Sequence, residues 1–438
     1  DHIALAGVHN ALDAVQVGVE LPLHNGLKVR LHRLRQHPQQ LVRHVRLNHR
    51  MYFFLLALIY IAFISLGLPD SLLGSAWPAI SGELNVPVSF LGVVSMIISG
   101  GTELSSLLSD KLISRLGTRA VTVISVFLTA AALIGFFFAD SFPVLAVFAV
   151  PYGLGAGAVD AALNNYVALR YPSGHMSWLH CLWGAGAIAG PIIMGHAIST
   201  STWHFGYLAV GLVQTAIGLL LLVTLPVWKA NGADGEKRRK SIGLKAALKI
   251  KGVPQILIGF FAYSAAEATA MNWASTYFVE AKGLPAEQAA QFAALFYIGI
   301  TAGRFLSGFV TGRLGDRRTI VIGTCVLSCG IIAMAVPVGV PALSAAGFVV
   351  AGLGCAPVYP CIIHATPGNF GAENSGAIIG MQMAGAYTGS TFIPPLFGLL
   401  GGAAGFAVLP CFLLAFAVLM ITMTELSFRA AKNGQLRM

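Results

Sequence analysis

Apolar stretches of 20 to 29 residues alternate with short polar turns from residue 51 to residue 427. At a rise of 1.5 Å per residue, each is long enough to cross about 30 Å of hydrocarbon as a helix. The pattern predicts twelve membrane-spanning helices, near 52–80, 88–112, 119–139, 143–171, 175–199, 204–228, 254–280, 286–312, 318–337, 341–365, 373–400 and 403–427. Within that pattern Arg-Leu-Gly-Thr-Arg at 115–119 returns as Arg-Leu-Gly-Asp-Arg at 313–317, and Gly-Leu-Gly-Ala-Gly-Ala-Val-Asp at 153–160 returns as Gly-Leu-Gly-Cys-Ala-Pro-Val-Tyr at 352–359. The spacings, 198 and 199 residues, agree. The chain therefore reads as two six-helix halves in the same order, 51–228 and 254–428, joined by a connector at 229–253 and followed by a tail at 429–438.

Composition agrees with a life in lipid: 56% apolar and 10% charged residues, with 50 glycines among 438. From residue 51 on there are 20 Lys and Arg, and all but Lys282 and Arg304 fall on alternate loops or at the C-terminus. That asymmetry places both termini and the connector in the cytoplasm of a multi-pass plasma-membrane protein. Lys237, Arg238, Arg239 and Lys240 read as a topology signal near anionic lipid and not as a nucleic-acid site. The six cysteines all fall inside expected spans, where a thiol packs as a small residue, and no disulfide or zinc spacing is present.

Residues 1–50 differ from the rest. They lack Ser, Thr, Phe, Tyr, Trp, Cys and Met, yet hold seven of the twelve histidines. They have no apolar core of a signal peptide. The expectation is an extension outside the fold with Met51 as initiator; the alternative is a cytoplasmic tail with short amphipathic helices near 7–19 and 39–47.

Two halves, a basic connector and a Gly-Arg turn after the second and eighth helices resemble the major facilitator superfamily over residues 51–428. The usual turn has an aspartate before its arginine, where this chain has Ser114 and Gly312. Arg115, Arg119, Arg313 and Arg317, with Asp110 a turn earlier, read either as inter-helix locks or as anchors on the inner side. Gly-Ala-Gly-Ala-Val-Asp-Ala-Ala-Leu-Asn-Asn-Tyr-Val at 155–167 and Leu-Pro-Asp-Ser-Leu-Leu-Gly at 68–74 resemble the fourth and first helices of fucose-permease-like sugar:proton symporters. That resemblance implies proton and sugar handling by Asp160 and Asp70.

The residues point the same way. An ionised carboxylate at mid-membrane costs about 2.5–3.5 kcal/mol, so Asp70, Glu103, Asp160 and Glu267 are functional candidates. Desolvation favours the neutral acid, as a reversible proton carrier requires. Asp70, Asp160 and Glu267 are expected to couple protons, with sodium as an alternative ion and no other cofactor. Asn164 and Asn165 lie beside Asp160, and His180 is three residues before Trp183, on one helix face. Tyr263 is cofacial with Glu267; Asn272 and Trp273 follow two turns on; Tyr359 takes the repeat position of Asp160, and Gln382 adds a carboxamide. All nine are expected to bind substrate. Trp203 and Trp228, near span ends, read as ordinary packing or interfacial anchors and not as ligands. Arg304 is expected in an ion pair with Glu103, Glu267 or Asp316, and Pro357, Pro360, Pro394 and Pro395 as bending points.

The expected function is proton-coupled symport of a hexose or similar small polyol by a monomer in the bilayer. An efflux antiporter for amphipathic compounds is the alternative, carried by the Gly186–Pro191 stretch and Gly195. A membrane sensor is a second alternative. No nucleophile, metal or phosphate-loop set is in register, so no enzyme is expected.

Overall fold

The computed structural model describes residues 38–87, 90–230, 242–284, 286–336 and 341–435. Most of the first fifty residues and the Lys237–Lys240 run lie outside them. Contacts divide the chain into 1–56 and 57–438, and the site below belongs wholly to the second unit.

The described residues are helical and contain no strand. The first half runs α1 (Pro38–Asp70), α2 (Leu72–Glu83), α3 (Phe90–Leu116), α4 (Thr118–Phe137), α5 (Phe142–Arg170), α6 (Ser173–Thr200), α7 (Trp203–Val223) and α8 (Leu225–Ala230). After α9 (Leu244–Ala247), the second half runs α10 (Val253–Glu280), α11 (Ala286–Leu314), α12 (Asp316–Ala335), α13 (Pro341–Cys355), α14 (Val358–Phe370), α15 (Ser375–Ala404) and α16 (Leu409–Gln435). Every expected span coincides with a helix or with a pair broken in the middle. The first is broken at Ser71, just after Pro69. The tenth is broken at Ala356 and Pro357, where the missing proline N–H ends α13. Pro394 and Pro395 sit inside α15 without interrupting it.

Nine helices among the described residues are long and apolar enough to span a membrane by composition alone. α10, α11 and α15 are not among them, although they match them in length. Alanine, glycine, serine and threonine dilute their apolar content, and these three helices carry Glu267, Arg304, Gln382 and Tyr387.

The repeated turn is a backbone requirement. Gly117 (φ 80°) caps α4 and Gly315 (φ 78°) caps α12, a region of the map that favours glycine. Their amides donate to the carbonyls of Ile113 at 2.7 Å and Thr311 at 2.8 Å, closing α3 and α11 in the same way. The second echo is a packing requirement: a Cβ on Gly153 would lie 2.2 Å from the Ile98 carbonyl oxygen, and one on Gly352 would lie 2.4 Å from that of Phe296.

The halves meet where α15 crosses α3, α11 crosses α6, and α14 and α15 lie against α5. Near the arginine-rich turns this contact is tight. Ser375 donates to Asn165 Oδ1 at 2.7 Å. His364 bridges Asp316 Oδ2 (2.7 Å) and the Tyr171 carbonyl oxygen (3.0 Å). Gly174 meets Gly308 so closely that a Cβ on the former would lie 2.2 Å from the latter's carbonyl oxygen. Gly174 thus meets bare backbone, with the Trp178 indole of α6 packed over Gly308 beside it.

Candidate functional site

A cavity of about 470 Å³ lies between the halves and reaches toward the end of the bundle opposite the arginine-rich turns, where Leu73, Gly74 and Leu91 line it. Its polar wall is contributed by α1, α3, α5, α6, α7, α10, α11, α14 and α15. Three acids line it, Asp70, Asp160 and Glu267, and among the described lining residues Arg304 is the one lysine or arginine.

Asp70 ends α1 at the break, so the interrupted helix turns its carboxylate into the cavity. Tyr152 of α5 donates to Oδ1 at 3.0 Å and the Trp183 indole of α6 to Oδ2 at 2.9 Å. Asp160 is 9% exposed on α5. Asn164, one turn on, donates to Oδ1 at 2.8 Å, and Tyr387 of α15 donates to Oδ2 at 3.0 Å, so this acid ties the two halves together. Asn164 is fully buried behind Asp160, and its Oδ1 lies 3.1 Å from His180 Nε2. An amide oxygen only accepts, so Nε2 carries the proton. The His180 ring packs edge-on to Tyr359, with centroids 4.6 Å apart, and both line the cavity.

The opposite wall handles charge differently. Arg304 Nη2 donates to Glu267 Oε1 at 3.1 Å, which settles the arginine's partner. Its guanidinium carbon lies 5.7 Å from the centroid of the Trp183 ring. Glu267, expected as a proton carrier beside the aspartates, instead has a cation on its carboxylate.

Several expected ligands are elsewhere. Trp273 donates to the Pro394 carbonyl oxygen at 2.8 Å and stacks on Phe406, so it packs α10 against α15. Asn272 is exposed and off the lining. Gln382 is fully buried and bonds Thr366 at 3.1 Å, a contact between α15 and α14. Asn165 belongs to the closed end through Ser375. Tyr263 lies behind the wall, its ring 5.7 Å from that of Tyr359. No described ion pair includes Glu103. Asp110 sits against Gly376 of α15, and Arg317 makes a two-pronged pair with Glu425, its Nε 3.0 Å from Oε1. Arg115 and Arg313 are exposed, while Arg119 is half-buried. Trp203 and Trp228 are buried packing residues away from the cavity: Trp203 donates to Glu83 at 2.8 Å, and Trp228 packs on Tyr166.

Sequence reasoning missed Tyr152 and Tyr387. Neither has a spacing signal to the acid it serves, 82 and 227 residues away. It also missed His364, whose two partners come from different halves. Among the described residues no group of His, Cys, Asp and Glu is arranged to hold a metal ion.

The pattern of the Major Facilitator Superfamily matches residues 59–362 and 256–434. The chain belongs to this superfamily. It is a membrane transporter by that membership and by its apolar helices. It is 27% identical over 295 residues to a hexuronate transporter of Bacillus subtilis, covering 60% of this chain and 68% of the relative. It is 23% identical to the glucose/mannose transporter of the same bacterium, covering 69% of this chain and 77% of that relative. In fold it is similar to FucP in the outward conformation, with a TM-score of 0.73 at 16% identity over 86% of this chain and 99% of that one. A second FucP structure, described as the E. coli fucose:proton symporter, gives 0.72 at 15% identity, with the same coverage.

Proposed function

We propose that this transporter takes up a hexose or similar small polyol by proton-coupled symport, from the plasma membrane with both termini cytoplasmic. One observation carries the reading: Asp70 and Asp160 face a single cavity, and each is held only by neutral donors among the described residues. A carboxylate without a cation exchanges a proton at lower cost than one in an ion pair. The cavity volume, about 470 Å³, falls in the range of roughly 300–1,000 Å³ usual for small-molecule sites. Its carboxylates, hydroxyls and indole match a polyol's hydroxyls and the apolar face of a sugar ring.

The coupling route follows from Asp160. Ionised, it accepts a charge-assisted bond from Tyr387 across the halves; protonated, it holds that bond less strongly. Loading a proton therefore alters a contact between the two parts that must move. One proton moving inward supplies about 2.3 kcal/mol per 100 mV and about 1.4 kcal/mol per pH unit, enough to drive accumulation. The positive-inside pattern makes the arginine-rich end cytoplasmic, so the open cavity faces outward. The named activities of the sugar and hexuronate relatives support the substrate class.

Two of the glycines behind the efflux alternative also serve packing. A Cβ on Gly186 would lie 2.2 Å from the Ile64 carbonyl oxygen, and one on Gly190 would lie 2.3 Å from that of Leu68, so these glycines serve the close approach of α6 to α1.

The test is external pH in a weakly buffered suspension of proteoliposomes carrying the protein. Alkalinisation on adding a sugar, absent in Asp160→Asn, is expected. Silence with sugars but proton flux with lipophilic cations would sink the reading in favour of efflux. Flux dependent on a sodium gradient and indifferent to pH would replace the proton. Saturable binding without flux would make the protein a sensor.

A further inference from the structure

A neutral sugar does not itself call for a cation in its site, yet Arg304 stands in this one. It is 6% exposed, yet it lines the cavity. Its hold on Glu267 is one-pronged, a single Nη2 bond at 3.1 Å, and its Nε is buried without a hydrogen-bond partner. A guanidinium offers five donors in a planar fork that matches a carboxylate two-pronged, and a pair serving only to pack two helices would use that fork. Arg317 does so with Glu425 in this same molecule.

The indole of Trp183 relates this group to the aspartates. Its N–H reaches Asp70 Oδ2 at 2.9 Å, and its ring lies 5.7 Å from the Arg304 guanidinium carbon. A sugar ring laid on that indole has an acceptor for its hydroxyls at one end and a cation at the other. We infer that Arg304 receives a carboxylate on the transported sugar, so that the substrate class is an acidic hexose derivative and Arg304 sets the specificity. This rests on the sugar uptake proposed above. Glu267 is the internal anion that holds the guanidinium in place before substrate arrives, and the sugar's carboxylate takes the two-pronged face. Proton loading of the aspartates complements this arrangement, because an anionic sugar would otherwise join three carboxylates around one cation.

The experiment compares D-glucuronate with D-glucose in proteoliposomes carrying the full chain, reading the half-saturating concentration of each and the proton movement that accompanies it. In the native protein glucuronate is expected to saturate at a concentration at least about tenfold lower than glucose, as a two-pronged arginine contact supplies. Arg304→Gln leaves Glu267 unpaired and can fail to fold, so the decisive variant is Glu267→Gln/Arg304→Gln, which removes both charges together. There the preference for the acid is expected to collapse to near one. Equal affinities in the native protein, or a preference that survives in the double variant, overturns the inference. Proton-coupled transport of glucose with no response to glucuronate also overturns it while leaving the proton-coupled reading standing. Preferential glucuronate transport without proton movement supports the inference and removes the coupling. Movement of neither sugar overturns both.

Discussion

Asp160 on α5 and Glu267 on α10 are both acids lining one cavity, in halves built from one repeat, yet a tyrosine and an amide hold the first while a guanidinium holds the second. The difference shows what duplication preserved. Glycine-capped turns and close helix approaches recur at a fixed spacing because backbone geometry demands them. The side chains facing the cavity were free to diverge, and they did so toward neutral donors on one wall and a charge pair on the other. One carboxylate has a cation at 3.1 Å, whereas the other is held by neutral donors alone among the described residues. On the proposed function, the first half carries the proton and Arg304 of the second reads the acidic group of the sugar.

The comparison breaks at its strongest point if Asp160→Asn still drives alkalinisation when sugar is added; complete loss is expected, with protein insertion unchanged by membrane fractionation. Arg304→Gln alone should cost about 3–5 kcal/mol, because it leaves a buried carboxylate without its cation. Glu267→Gln/Arg304→Gln should recover most of that, as read by thermal unfolding in detergent, and equal stability of both variants would mean that the pair holds nothing. On the neutral wall, Tyr152→Phe removes one of the two donors to Asp70, a bond of about 1.5–3 kcal/mol, and should raise half-saturation for sugar about tenfold. The smallest effect is expected from Trp273→Phe, which loses a packing bond to Pro394 away from the cavity. Half-saturation should change by less than about twofold, and a larger change would return this residue to the site.

Much of the architecture was legible because lipid leaves few choices: length, apolar content and arginine placement define spans in order. Asp70 and Asp160 were legible for the same reason, since a mid-membrane acid is expensive. The amides and indoles were less so. Asn164 and Trp183 reach the aspartates, but Trp273 and Gln382 satisfy themselves on neighbouring helices and Asn272 is exposed off the lining. An intramembrane polar group must find a partner, and sequence does not say whether that partner is protein or substrate. Tyr152, Tyr387 and His364 act across distances along the chain that no local spacing encodes.

The contact of Gly174 with Gly308 has a practical consequence. Where two helices close on bare backbone, with 2.2 Å left for any Cβ, one methyl group works as a chock. Gly174→Ala would hold the arginine-rich end ajar without touching a cavity residue. It would give a carrier stalled in its opposite posture, on which binding from that side alone can be measured at equilibrium.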